Sequence, residues 1–200
     1  GRQFMEKIVQ VPLHLPNAES DDLRTLAFEG VDDVLKQNEI ELSEEDVEAF
    51  VRHFSVGILP LLSTPRQVKR YVNAIRFAIP LLKGEVRAVD QLLIEAVRVV
   101  FPNLYLLIRA NEDLYTGQGL QGYGSSDKKE EAKKQREEHL KDLSDEAKDA
   151  ARQVLLALFP RTGNTGYGGD WDIRWAREKR ITSDDYFRRY FQYAVPKRDV

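Results

Sequence analysis

The stretch STPRQVKRYVNAIRFAI, residues 63–79, has the pattern of a capped amphipathic helix. Its apolar residues recur at spacings of three and four, which places them on one face of a helix: Val68, Tyr71, Val72, Ile75 and Ile79. The start is well marked, because Thr64 is a favourable N-cap, Pro65 suits the first helical position and Gln67 completes a capping box. The stretch therefore predicts a helix that packs its apolar stripe against a core.

The flank of this helix carries basic and amide side chains: Arg66, Lys69, Arg70, Asn73 and Arg76. Arg66 falls in the first turn, where the helix dipole disfavours a cation. A cation becomes favourable there if an anion binds beside it, since helix N-termini bind anions. The same residue types also fit an ordinary solvated face. Both interpretations remain open for this helix taken alone.

Composition describes a charge-rich globular protein, with 200 residues, 42% hydrophobic content and 32% charged content. The chain has no cysteine, which excludes disulfides, thiol catalysis and cysteine-ligated zinc. No apolar run approaches the ~20 residues that span a membrane, and the N-terminus has no signal-peptide pattern. We therefore expect a cytoplasmic location and no membrane segment in these residues.

The net charge of −3 is unevenly distributed along the chain. Residues 1–64 contain 5 Lys/Arg against 13 Asp/Glu, a balance of −8, and residues 65–124 contain 8 against 5, a balance of +3. Residues 125–200 contain 17 against 15, a balance of +2. This distribution does not favour a general nucleic-acid-binding surface, although a local basic site is compatible with it.

Helical periodicity recurs over most of the chain and predicts an all-α fold, an irregular helical bundle of about seven to eight helices. Ser43 and Asp46 form a second capping box, and the apolar stretch VDQLLIEAVRVVF, residues 89–101, is predicted to be the buried centre. Residues 126–158 follow one helical pattern and predict a long charged helix. A short extended N-terminal segment is expected before the helices, because Pro12 cannot donate a ladder hydrogen bond.

These patterns divide the chain into four predicted segments. Residues 1–16 form the extended segment, 17–113 a helical bundle, and 114–125 a glycine-rich linker. Residues 126–200 form a C-terminal extension that contains the long charged helix, a loop and an aromatic helix with Thr182 and Asp185 as its cap. The aromatic residues near the C-terminus could stack bases, but their helical spacing favours a core position.

Candidate catalytic and metal-binding groups are absent from the sequence pattern. GQGLQG, residues 117–122, matches G-x-G-x-x-G but follows a helix and is not followed by a second strand, so it is interpreted as a loop. His14, His53 and His139 lack metal-ligand spacing and are expected to be packed or solvated. We predict no catalytic residue, no metal ligand and no cofactor held by these 200 residues alone.

A resemblance to P-loop NTPases adds information beyond these patterns. STPRQVKRYVNAIRF resembles the lid helix of AAA+ and related NTPases, in which a T-P-R opening supplies the sensor-2 arginine. FMEKIVQVPLHLP (4–16), VDQLLIEAVRVVFPNLY (89–105) and KRITSDDYFRRYFQYAVP (179–196) together resemble the C-terminal half of the KAP family of P-loop NTPases. The resemblance is weak in residues 17–50 and nearly absent in 114–158. The shared order of the motifs is a stronger signal than any one of them.

The resemblance implies that these residues are the helical lid and C-terminal region of an ATPase. No Walker A sequence occurs in the 200 residues, so the nucleotide-binding core is expected upstream in the same chain, and residues 1–16 would be its exit segment. The resemblance implies ATP and Mg for that parent protein, and members of the family often carry membrane spans elsewhere in their chains. Arg66, Lys69 and Arg70 would sense the nucleotide, and the lid itself would not be catalytic.

Two other functions compete with this interpretation. In the first, the chain is a helical protein–protein interaction module that binds a partner or a second copy through the charged helix and the aromatic tail. In the second, the basic and aromatic stretches bind nucleic acid, which the acidic first third does not favour.

Overall fold

A computed structural model describes residues 19–117, 125–163, 167 and 169–193 of the chain. These residues form helices joined by turns and contain no β-strand, which confirms the predicted all-α fold and irregular bundle. The predicted extended segment, residues 1–16, lies outside the described residues. The α-helices are α1 Ser20–Gln37, α2 Glu44–Gly57, α3 Pro65–Leu81, α4 Ala88–Val100, α5 Pro102–Ala110, α6 Glu112–Thr116, α7 Ser125–Glu138, α8 Asp145–Leu158, α9 Gly169–Arg177 and α10 Asp184–Phe187.

The helix count exceeds the seven to eight expected, with ten α-helices in the described part of the chain. Three short 3₁₀ helices also occur, at Leu59–Leu61, Pro160–Thr162 and Arg188–Phe191. Two of the α-helices, α6 and α10, have only five and four residues. Elements this short carry too few residues to show a periodicity, so the sequence pattern did not separate them from their neighbours.

Helices α1 and α3 pack side by side and run in the same direction. Gly30 of α1 lies against Val72 of α3, so closely that a Cβ on Gly30 would be 2.4 Å from a Val72 methyl carbon. At the far ends of the two helices, Lys83 Nζ lies 3.6 Å from a carboxylate oxygen of Glu39. The N-termini of α1 and α3 therefore lie at the same end of the bundle.

Helix α4 is the buried centre of the bundle, as predicted. Every residue from Val89 to Val97 is buried, and three of them are polar. Each polar side chain has partners: Gln91 donates from Nε2 to the carbonyl of Ala78 at 2.7 Å, and Glu95 pairs with Arg98 at 2.6 Å. Because unpaired polar groups are costly inside a protein, these contacts permit a polar sequence at the core.

The third polar residue of α4, Asp90, is the centre of an ionic network and is 1% exposed. Its carboxylate accepts from Arg87 Nη1 at 3.2 Å, from Arg180 Nε at 3.2 Å and from the backbone N–H of Ile181 at 3.0 Å. Arg180 also donates to the carbonyl of Ala157 at 2.6 Å, and Arg87 pairs with Asp46 of α2. This network joins α2, α4, α8 and the segment that follows α9.

Residues 126–158 form two helices, so the prediction of a single long helix was wrong. Helix α7 ends at Glu138, and a turn leads to α8, whose first residue follows Ser144. The chain breaks here because Leu140 is buried and the Ser144 hydroxyl accepts from the N–H of Ala147 at 3.3 Å, which starts a new helix. Arg136 of α7 donates to the carbonyl of Leu114 at 2.9 Å, so the charged helix lies against the bundle.

Helix α8 packs closely on α2 through a glycine. A Cβ on Gly57 would lie 2.2 Å from Val154 Cγ2 and 2.9 Å from the carbonyl oxygen of Ala150. The predicted apolar face of α8, which includes Val154 and Leu158, is buried in the same hydrophobic core as α1–α6. The division of the chain into a bundle and a C-terminal extension stays a prediction. The described helices of both segments share one hydrophobic core.

The aromatic residues near the C-terminus are part of that core, as their spacing predicted. Phe187, Tyr190 and Phe191 are each at most 5% exposed. The predicted cap, however, was wrong: Ser183 is the N-cap of α10, and no side chain makes a capping hydrogen bond. Thr182 is buried instead, and its hydroxyl has no hydrogen-bond partner in the structure.

We predict that Asp90→Ala lowers the free energy of unfolding by about 3–5 kcal/mol, because it leaves the mostly buried Arg87 and Arg180 without their shared carboxylate. Urea denaturation followed by circular dichroism measures this change. Asp33→Ala is the matched control, since Asp33 is exposed and has no ion pair among the described residues. Equal midpoints for the two variants would show that the network contributes little to stability.

Candidate functional site

The N-terminus of α3 is capped largely as the sequence predicted. The Thr64 hydroxyl accepts from the N–H of Gln67 at 3.3 Å, and the Gln67 side-chain oxygen accepts from the N–H of Ser63 at 2.9 Å. The Gln67 side chain thus reaches one residue beyond the N-cap. Of the first three helical residues, Pro65 has no N–H and the N–H of Gln67 is already bonded. The N–H of Arg66 is the remaining one, and it is not used in a described hydrogen bond. An anion here would meet one amide and the Arg66 side chain, rather than the group of free amides that an uncapped terminus offers.

The candidate residues Arg66, Lys69 and Arg70 are all exposed on one flank of α3. None of them has a carboxylate within ion-pair distance in the part of the chain that the structure describes. Residues 65–84 contain five Lys/Arg and no Asp or Glu, so the helix has no acidic residue of its own to offset this charge. A row of unpaired cations attracts anions, and guanidinium groups hold phosphate oxygens with paired hydrogen bonds.

Arg66 lies at the end of the bundle where the described chain begins. Because α1 and α3 are parallel, Ser20 at the start of α1 and Thr64 at the start of α3 are at this same end. A cavity of about 520 Å³ lies there. Its walls come from the first residues of α1, including Ser20 and Arg24, and from the segment before α3, including Ser63. The Ser55 hydroxyl on its wall is buried and has no hydrogen-bond partner among the described residues. Glu19, the first described residue, therefore lies at the same end of the bundle as Arg66.

Arg70 has different surroundings from Arg66. It lies at a cavity of about 210 Å³ between α3, the end of α4 and the start of α8, with apolar walls that include Leu62, Phe101 and Leu143. Arg76, further along the helix, donates to the Asn73 side chain at 3.3 Å. The structure thus places the predicted residues on one face, with Arg66 at the helix terminus and Arg70 beside the C-terminal part of the fold.

The two described histidines are partly buried and make packing contacts. His139 Nδ1 lies 2.9 Å from the hydroxyl of the buried Tyr115. Burial lowers the pKa of His139, and burial together with the cation Arg52 lowers the pKa of His53. In the described ranges, no cluster of His, Asp and Glu has the arrangement of a metal site.

We predict that acid destabilises the chain between about pH 6.5 and the lowered pKa of each folded histidine. In that range the unfolded chain binds protons that the folded chain does not, so stability falls as the pH falls. His139→Asn, which keeps an acceptor near the Tyr115 hydroxyl, should reduce the slope of unfolding free energy against pH. The neutral control Gln135→Asn should keep the original slope, and an unchanged slope in His139→Asn would contradict the assignment.

Comparison with known families identifies the first part of the chain. Residues 1–82 match the family model described as the KAP family P-loop domain. The resemblance expected from the sequence is thereby confirmed for these 82 residues. The match ends one residue after α3, so Arg66, Lys69 and Arg70 fall inside it.

Comparisons with curated proteins and with solved structures found no match. No helix in the described residues has the length and apolar content needed to cross a membrane.

Proposed function

We propose that α1–α3 form the lid of a P-loop ATPase of the KAP type, and that Arg66 contacts the γ-phosphate of ATP. The observation that carries this proposal is the position of Arg66: an exposed cation without an ion-pair partner in the described residues, on the last helix of the region that matches the P-loop domain. Its position at the end of the bundle where α1 begins supports the proposal, because the residues before α1 would connect the lid to the nucleotide-binding core.

The chemistry of the residues fits a triphosphate. The Arg66 guanidinium has several donors and always carries a positive charge, and its own backbone N–H adds a donor at the positive end of α3. Magnesium-bound ATP supplies the phosphoryl group that is transferred, and a cation near the γ-phosphate stabilises negative charge in the transition state. Lys69 and Arg70 lie further along the helix and would contact phosphate or the core domain.

The packing of α3 explains how a contact at Arg66 could move a larger body. The apolar stripe of α3 is buried against α1 and α4, and the Asp90 network joins α4 to α2, α8 and Arg180. A lid built in this way moves as one unit with the C-terminal helices. Loss of the γ-phosphate would remove the contact at Arg66, which would couple hydrolysis to a displacement of that unit.

We predict that Arg66→Ala in the full-length protein lowers ATP turnover by about 10²-fold or more, because one transition-state charge contact is lost. The exposed position of Arg66 leads us to expect an unchanged thermal unfolding midpoint. Arg66→Lys should recover only part of the activity, since an ammonium group cannot bind two phosphate oxygens in the fork geometry of arginine.

Arg109→Ala is the matched control, as Arg109 is an exposed arginine at the end of α5, outside the matched region. The control should turn over ATP at the original rate. Unchanged turnover in Arg66→Ala would contradict the lid proposal and would leave an interaction module as the alternative. If Arg66→Ala retains ATP turnover and the protein binds DNA or RNA with an affinity that falls as salt rises, the nucleic-acid alternative would instead be favoured.

A further inference from the structure

An apolar pocket lies between the second half of α1, the connection at residues 38–43 and the first half of α2. Its volume is about 220 Å³, and its walls are mainly apolar, with Phe28, Leu35, Ile40, Val47, Phe50 and Val51 among them. Val47 is 45% exposed, so the pocket opens onto the surface. Engineered cavities of about 150 Å³ bind benzene, so a pocket of this size accommodates a phenyl ring.

The rim of this pocket is acidic. Asp32 lines it directly, and Glu44 and Glu48 each lie one helical turn from wall residues of α2. Glu41 lies between the wall residues Ile40 and Leu42. None of these four carboxylates has an ion pair within the described ranges, and the charged residues that line the pocket itself are Asp32 and Lys36. The charge of the rim favours a partner with basic residues around an apolar anchor.

The exposed face of α3 has the complementary composition. Phe77 is 60% exposed and Leu81, one turn further on, is 41% exposed. Arg76 precedes Phe77 and Lys83 follows Leu81, in a stretch, residues 65–84, that has no acidic residue. One edge of the Phe77 ring contacts Tyr193, with 5.9 Å between ring centroids, and most of the ring faces solvent. A large exposed aromatic residue between cations is typical of an anchor in a protein–protein interface.

We propose that the chain self-associates, with Phe77 of one copy bound in the acidic pocket of a second copy. Burial of the phenyl ring and Leu81 supplies the hydrophobic contact, and Arg76 faces the carboxylates of the rim. The occupant is a second copy because this chain itself displays the basic, aromatic surface that the pocket requires.

The two surfaces lie at one end of the bundle. The Lys83–Glu39 pair places the end of α3 beside the connection between α1 and α2. A two-fold dimer can therefore use both surfaces of both copies, so that the contact closes and does not extend into a filament. Phe77 is eleven residues from Arg66, about 16 Å along the helix, so this interface leaves the proposed nucleotide contact free and does not depend on it.

Sedimentation equilibrium of the 200-residue chain, from micromolar to about 200 μM, tests the proposal. We expect dimers at low salt and a dissociation constant that rises with salt concentration, because the rim contacts are ionic. Phe77→Ala should raise the dissociation constant by about tenfold or more, and Leu106→Ala should leave it unchanged. Leu106 is a matched control, being 58% exposed on α5. A chain that stays monomeric at all concentrations overturns the proposal.

Disulfide formation identifies the surfaces in contact, since the natural chain has no cysteine. A mixture of Val47→Cys and Leu81→Cys variants should form the mixed 47–81 disulfide under mild oxidation. A mixture of Val47→Cys and Leu106→Cys variants is the control and should form its mixed 47–106 disulfide much more slowly. Equal yields in the two mixtures, or dimers that are insensitive to Phe77→Ala, would show that the chain associates elsewhere and would overturn the proposal.

Discussion

The buried carboxylate of Asp90 is the interaction on which the rest of the structure depends. A charge that is 1% exposed is stable only when it is paired and hydrogen-bonded, and Asp90 meets this requirement with groups from distant parts of the chain. Its partners fix Arg180 against the end of α8 and Arg87 against α2. Helix α4 is thereby held at the centre, and α3, packed on α4, presents its basic flank in a fixed direction.

Local patterns in the sequence were sufficient for much of the helical fold. The stripe and cap of α3, the cap at Ser43 and the apolar density of α4 each depend on residues within a few positions of one another. The break between α7 and α8 could not be predicted in this way, because α7 is almost wholly charged and only Leu140 and Leu143 give apolar positions near the break. Thr182 also has the residue type of a cap but is buried in the tertiary structure.

The candidate site shows a similar limit. The sequence placed Arg66, Lys69 and Arg70 on one face of a helix, and their exposure follows from the apolar stripe opposite. Their surroundings could not be inferred, because the cavity beside Arg70 includes residues more than seventy positions later in the chain. The pairing of Asp90 with Arg180 could not be inferred either, since each residue type is usually found as an exposed charge on a protein surface. The link to P-loop NTPases depends on residues 1–82.

The sequence separation within the Asp90 network bears on synthesis at the ribosome. Arg180 lies ninety positions after Asp90, and Tyr190, which accepts from the Arg87 N–H at 3.1 Å, lies 103 positions after Arg87. At about 5–20 residues per second, Asp90 is incorporated roughly 5–20 s before Arg180. During that interval the nascent helices cannot bury α4 with its charge satisfied. The bundle therefore closes only after Tyr190 has been synthesised, and its apolar faces remain open to chaperones until then.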